Sequence, residues 1–257
     1  LARAARLGAR WGYDEINLNC GCPSERVQRG AFGACLMAEP NLVADCLKAM
    51  LDAVDIPVTV KHRIGVDRQE EYGFVRDFVG ALAGAGCSVF IVHARSAWLQ
   101  GLSPRENREL PPLRYEVVHR LKADFPSLVF VLNGGLSTLE AAEAELARVD
   151  GVMLGRAAYH EPWRLAEVDR RFFGDDGAAP TREAVVERMT AYLHREVERG
   201  TAPRHIVRHM LGLYQGVRGA RQWRRELSDA VVLERDAADV LARAARVIAP
   251  VAALRAA

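Results

Sequence analysis

The chain has 257 residues, 50% of them hydrophobic and 26% charged, with a formal net charge of +2. Such a composition builds a sizeable core and excludes extended disorder or a fibrous repeat. No apolar run approaches the roughly 20 residues that span a bilayer, and the N-terminus lacks a basic-then-apolar secretory signal, so a cytoplasmic protein without membrane contact is expected.

The chain opens in a helical pattern carried by Leu1, Ala4, Ala5, Gly8 and Trp11. Five segments rich in Val, Ile and Leu then read as buried strands: Glu15 to Asn19, Pro57 to Lys61, Val89 to His93, Val129 to Asn133 and Gly151 to Gly155. Helical patterns lie between them, one after Pro40 (Val43, Leu47, Met50) and one through Tyr72, Val75, Phe78 and Leu82. Gly174 to Pro180 reads as a linker, because Gly, Asp and Pro favour turns. Beyond it a helix starts at Thr181, Pro203 opens a second, and Asp236 to Ile248 forms a last one with an apolar face.

Strands alternating with helices, each strand ending on a polar residue or glycine, point to parallel βα units in a barrel or a doubly wound sheet, the barrel being favoured. A closed barrel needs eight strands and five are countable. The expectation is therefore a (β/α)8 TIM barrel whose first three strands are missing, over residues 1–175, followed by a small all-helical domain over 176–257.

The strand ends carry the chemistry. Cys22, in Asn19-Cys20-Gly21-Cys22-Pro23, follows the first visible strand at the face where barrel active sites form. On the dipeptide alone, Cys22 is more often a small loop residue than a reactive one, and no second Cys or His pair stands at metal-ligand spacing. The other cysteines, Cys20, Cys35, Cys46 and Cys87, make the count odd and lie in apolar segments, which argues for reduced thiols; Cys35 and Cys20 read as packed. Lys61 and His93 end the next two strands, and Cys, Lys and His at three successive strand ends are jointly hard to dismiss. Asn133-Gly134-Gly135 and Gly155-Arg156 end the last two, where such barrels bind phosphate through glycine N–H groups and a guanidinium. From Arg199 to Arg225 there are seven arginines, His205, His209 and no acid. Most charge runs are solvated faces, but arginines without counter-charge suit an anionic partner, and Tyr214 and Trp223 offer rings to stack on or pack beside nucleotides.

Together Asn17-Leu18-Asn19-Cys20-Gly21-Cys22-Pro23-Ser24, Lys61-His62-Arg63, His93-Ala94-Arg95, Asn133-Gly134-Gly135 and Gly155-Arg156 resemble the ordered motifs of tRNA-dihydrouridine synthases. The stretch from Ala97 to Glu109, with Ser103-Pro104-Arg105, is similar to the subfamily acting on tRNA positions 20 and 20a. The resemblance runs from Tyr13 to about Leu227 and implies an FMN-binding barrel, a helical tRNA-binding domain and NADPH as reductant. It implies Cys22 as proton donor and Lys61, His93, Asn133, Gly134, Gly135, Gly155 and Arg156 as FMN contacts. It further implies Asn19 beside the target uridine, and Arg105, Arg108, Arg221 and Arg224 as tRNA contacts. The expected partner is tRNA rather than DNA, the expected state of the full-length protein is a monomer, and no metal is called for. Two other readings share parts of this pattern: an FMN barrel reducing a small molecule, and an RNA-binding protein with an inactive barrel.

Overall fold

The computed structural model describes residues 1–230, Leu233 and 239–253. It divides into two compact units, Leu1–Leu136 with Glu140–Leu154 and Ser137–Leu139 with Gly155–Ala257. None of the described helices is long and apolar enough to cross a membrane.

The first unit opens with helix α1 (Ala2–Arg10) and strand β1 (Ile16–Cys20), then α2 (Glu25–Arg29), α3 (Pro40–Leu51) and β2 (Val58–Arg63). It continues through α4 (Tyr72–Gly84), β3 (Val89–His93), α5 (Tyr115–Asp124), β4 (Val129–Asn133), α6 (Leu139–Leu146) and β5 (Gly151–Met153). The strands form one parallel sheet in the order β1-β2-β3-β4-β5. A doubly wound sheet reverses its strand order at a switch point. Here every strand pairs with its sequence neighbour, the order in which a βα barrel is built.

Strand periodicity gives the sheet two unlike faces. One carries Cys20, Val58, Val60, Phe90, Val92, Phe130 and Leu132, all buried with Val43, Leu47, Phe78, Leu82, Val118 and Leu121 of the covering helices. Each such side chain contributes about 1.5–3 kcal/mol on burial. The other face carries Asn17, Asn19, Thr59, Lys61, Arg63, His93 and Asn133, set side by side by the register Asn17↔Thr59, Asn19↔Lys61, Arg63↔His93 and His93↔Asn133. The chain thus concentrates polar side chains on one face toward the strand C-termini.

Boundaries shift where hydropathy is a poor guide. β2 runs two residues past Lys61, because His62 and Arg63 keep pairing with β3; Arg63 donates to the Gly21 carbonyl and His62 Nδ1 lies 2.7 Å from the Arg63 carbonyl oxygen, while His62 Nε2 is buried without a partner. β1 sits one residue later than the sequence suggests, and β5 stops at Met153.

The second unit comprises α7 (Arg156–His160), α8 (Val168–Phe172), α9 (Arg182–Glu198), α10 (Arg204–Val207), α11 (Ala220–Ser228) and α12 (Val240–Ala253). Thr181 caps α9, its Oγ1 accepting from the Ala184 N–H at 3.1 Å, which meets one of the helix's free donors. Pro203 opens α10 as expected. The start of the expected last helix, 236–238, lies outside the described residues. Leu193, Val207, Leu213, Trp223, Leu227, Leu241 and Ala244 make this unit's own core.

Tyr214 and Trp223 belong to that core, contrary to their expected place beside nucleotides. On α11, Ala220, Trp223 and Leu227 form the inward i, i+3, i+7 stripe. Trp223 is fully buried, packs its ring 4.8 Å from Tyr214 and donates from Nε1 to the Met210 carbonyl at 2.9 Å. Adjacency to arginines in the chain misled, because neighbours on a helix point to different faces.

Candidate active site

The polar face of the sheet continues into the loop after β1. There the Asn19 Oδ1 accepts from the N–H groups of Gly21 and Cys22 at 3.0 and 3.2 Å, folding the chain back over the strand end. This turn presents Cys22, half-buried, with its Sγ donating to Ser24 Oγ at 3.5 Å. The remaining thiols behave differently. Cys20 is fully buried and pushed up to about 12, first by burial and then by Cys46, Cys35 and Cys87. Cys35 donates to the Phe32 carbonyl at 3.1 Å and lines a separate cleft with Trp98 and Leu99.

Lys61, opposite Asn19 in the ladder, donates from Nζ to Asn133 Oδ1 at 3.0 Å, reaching across β3. Burial, and then the charge of Arg63, push it down to about 8. Its pKa reflects no carboxylate, and Asn133 is the partner that the described residues provide. Asn133 is itself fixed, its Nδ2 donating to the Met153 carbonyl at 2.8 Å. His93, 8% exposed, lies against Gly134. Gly134 has φ +113°, and a Cβ there would stand 2.6 Å from the His93 ring, so both backbone conformation and space require glycine. The Gly134 carbonyl accepts from the Tyr115 hydroxyl at 2.5 Å, holding the turn. His62 between these residues faces the opposite way, among Phe78 and Phe90; burial pushes it down to about 4, so it is a neutral core residue.

Two residues organise the site that sequence reasoning left without a role. Arg63, 3% exposed, donates from Nε to the Gly21 carbonyl at 3.1 Å and from its Nη1 to the carbonyls of Ser96 and Asn107 at 3.2 and 2.8 Å. It is lowered to about 10, chiefly by burial, then by Arg108 and Arg95, while Cys22 acts in the opposite sense. Asn107, fully buried, accepts the Trp98 N–H at 2.8 Å and donates to the Trp98 carbonyl at 2.7 Å. Ser103 and Glu106 close the same loop reciprocally, backbone to side chain, at 2.8 and 3.2 Å. The S-x-x-E spacing could have signalled this turn, and the i, i+2 relation to Lys61 could have flagged Arg63. Arg105 and Arg108 are held exposed on that loop, Arg105 with Glu109 at 3.8 Å.

In the first unit, then, the fold gathers Asn19, Cys22, Lys61, His93, Asn133, Gly134 and Gly135 at neighbouring strand ends. In the second, Gly155 and Arg156 begin α7, Arg221 is exposed, and Arg224 is half-buried with its Nη1 on Gln215 Oε1 at 2.7 Å.

The model of the family described as dihydrouridine synthase matches residues 1–249. A tRNA-dihydrouridine(20/20a) synthase of Shewanella oneidensis is 56% identical over 229 residues, covering 89% of this chain and 68% of that protein. The proteins of the same name from Escherichia coli (strain K12) and Synechocystis are 58% and 54% identical, over 89% and 91% of this chain and 67% and 70% of theirs. Among solved structures, a phosphoenolpyruvate phosphomutase of Streptomyces platensis has a TM-score of 0.43 at 17% identity, over 68% of this chain and 62% of that one, too distant to bear on function. With a family match over nearly its whole length and relatives above 50% identity, the chain belongs to the dihydrouridine synthase family.

Proposed function

We propose that the protein reduces uridine to 5,6-dihydrouridine in the D-loop of tRNA, at positions 20 and 20a, with FMN as cofactor and NADPH as reductant. The observation that carries the cofactor reading is Lys61: a half-buried ammonium, lowered to about 8 chiefly by desolvation, whose partner is a neutral amide. A partly desolvated cation without a carboxylate is costly unless an anion comes to it. An electron-rich ring or a phosphate would relieve that cost, and Gly134 and Gly135, both at positive φ, follow the end of the neighbouring strand β4 beside His93.

Lys61, His93, Asn133, Gly134 and Gly135 are the proposed cofactor contacts of the first unit; Gly155 and Arg156 are those of the second. When bound, reduced FMN supplies a hydride for C6 of the uracil. Cys22 holds the proton at Sγ: as the S–H bond breaks, a C–H bond forms at C5 and the C5–C6 double bond is saturated. The thiolate left behind regains a proton from solvent. Asn19 shapes the Cys22 turn and is proposed to lie beside the uridine. Arg105, Arg108, Arg221 and Arg224 are proposed tRNA contacts, with residues 1–175 serving flavin chemistry and 176–257 serving tRNA binding.

The experiment is reoxidation of the anaerobically reduced flavoprotein. Unmodified tRNA is expected to reoxidise it, with dihydrouridine formed in proportion. Reoxidation by small enones but not by tRNA would favour a small-molecule reductase instead, and absence of any flavin spectrum would favour an inactive barrel that binds RNA.

A further inference from the structure

Within the second unit a cavity of about 700 Å3 opens where α7 meets the segment after α10. Tyr159, His160, Arg208, His209 and Arg224 line it. Gly212 makes this meeting possible, since a Cβ there would collide with the His160 carbonyl oxygen. The lining acid, Glu161, is engaged by Arg164 at 2.5 Å.

The arginines are oriented by neutral groups and not cancelled by carboxylates. Arg208 donates from Nε to His209 Nε2 at 3.1 Å; that nitrogen must then be the acceptor, leaving the Nδ1–H to donate to the Tyr159 hydroxyl at 3.0 Å. Arg224 is held by the Gln215 amide oxygen at 2.7 Å. Among the described residues neither arginine has an ion-pair partner. Tyr159, edge-on to both His160 and His209, keeps 54% of its surface exposed. Fixed guanidiniums with charge to spare, beside a fixed and open aromatic face, are what a nucleotide uses: phosphate on the first, base on the second.

We propose that this cavity is a nucleotide-binding site for the RNA substrate, with a backbone phosphate taken by Arg208 and Arg224 and a base stacked on Tyr159. The proposal rests on the reading of tRNA as substrate and extends it to Tyr159, Arg208 and His209, none of which belongs to the exposed basic face of α11.

The test is tRNA affinity of the full protein against salt concentration, with heparin as a structureless polyanion and a thermal melt to verify folding. Arg208→Gln is expected to lower affinity and to reduce the log–log salt slope by about 0.7–0.9 unit. Tyr159→Ala is expected to weaken tRNA binding about fivefold or more with the slope unchanged, leaving heparin binding intact. Tyr159→Phe, which keeps the ring, should stay within about twofold of wild type. Should Tyr159→Ala, folded, bind tRNA as wild type does, or should Arg208→Gln weaken heparin and tRNA alike with no tyrosine effect, the cavity is general cationic surface and the proposal is overturned. A wild type that binds no tRNA overturns both this proposal and the substrate reading.

Discussion

In the proposed reaction Lys61 and Cys22 have separate roles, and each can be probed alone. Cys22→Ala removes the proposed donor and leaves the proposed cofactor contacts in place. Reduction of the flavin by NADPH should be nearly normal while uridine reduction slows about 10²-fold or more, the usual worth of a positioned proton donor. Cys35→Ala should be mild in both half-reactions, since that thiol donates to a backbone carbonyl in another cleft. Equal, near-normal activities of the two variants on tRNA would strip Cys22 of its role. Lys61 makes a thermodynamic prediction. Its folded value of about 8 lies below the unfolded value of 10.5, so between those pH values the unfolded chain binds more protons and this group makes stability rise with pH. Below about 8 the charged, desolvated form carries its full penalty. Without cofactor, Lys61→Met should melt no lower than wild type at pH 7, and the advantage of the variant should shrink from pH 8 to 10.5. A constant difference across that window would mean that Lys61 is not desolvated. Lys61 and His93 were legible because ionisable residues interrupt apolar runs at strand ends. Arg63 was not, because its role lies in carbonyls 33 to 44 residues away that no local pattern announces.

At the level of elements, the strands were readable from Val, Ile and Leu runs and a barrel was favoured over a doubly wound sheet; the sequential strand order comes from the structure. The end of β2 was not: hydropathy stops at Val60, while the ladder continues because Arg63 satisfies its donors internally. The loop from Ala97 to Glu109 was read as a recognition loop through its resemblance to the 20/20a subfamily; what shapes it is Asn107. Asn107→Ala would leave the Trp98 N–H and carbonyl without their partner, at a cost of about 1–3 kcal/mol for each buried group. Hydrogen exchange over residues 98–109 should accelerate, and tRNA affinity should fall through Arg105 and Arg108 with flavin content unchanged. Unaltered exchange in that loop would show that Asn107 does not hold it.

For the whole molecule, a net charge of +2 conceals its distribution. The arginine-rich stretch was legible as a cationic surface, whereas the fate of its aromatic residues depended on helix phase: Trp223 turns inward as Arg221 turns outward. Replacing both Arg221 and Arg224 by Gln should weaken tRNA binding and lower the log–log salt slope by about one unit per lost phosphate contact, with FMN content preserved. An unaltered slope would mark that face of α11 as merely solvated. The central claim, that this sheet face and this basic unit together make a tRNA uridine reductase, is tested most directly by mapping the product. Unmodified tRNA incubated with the protein, FMN and NADPH, then sequenced for dihydrouridine, should carry the reduced base at positions 20 and 20a and nowhere else. Dihydrouridine at other positions, or none at all from a protein that reduces its flavin normally, would contradict the account.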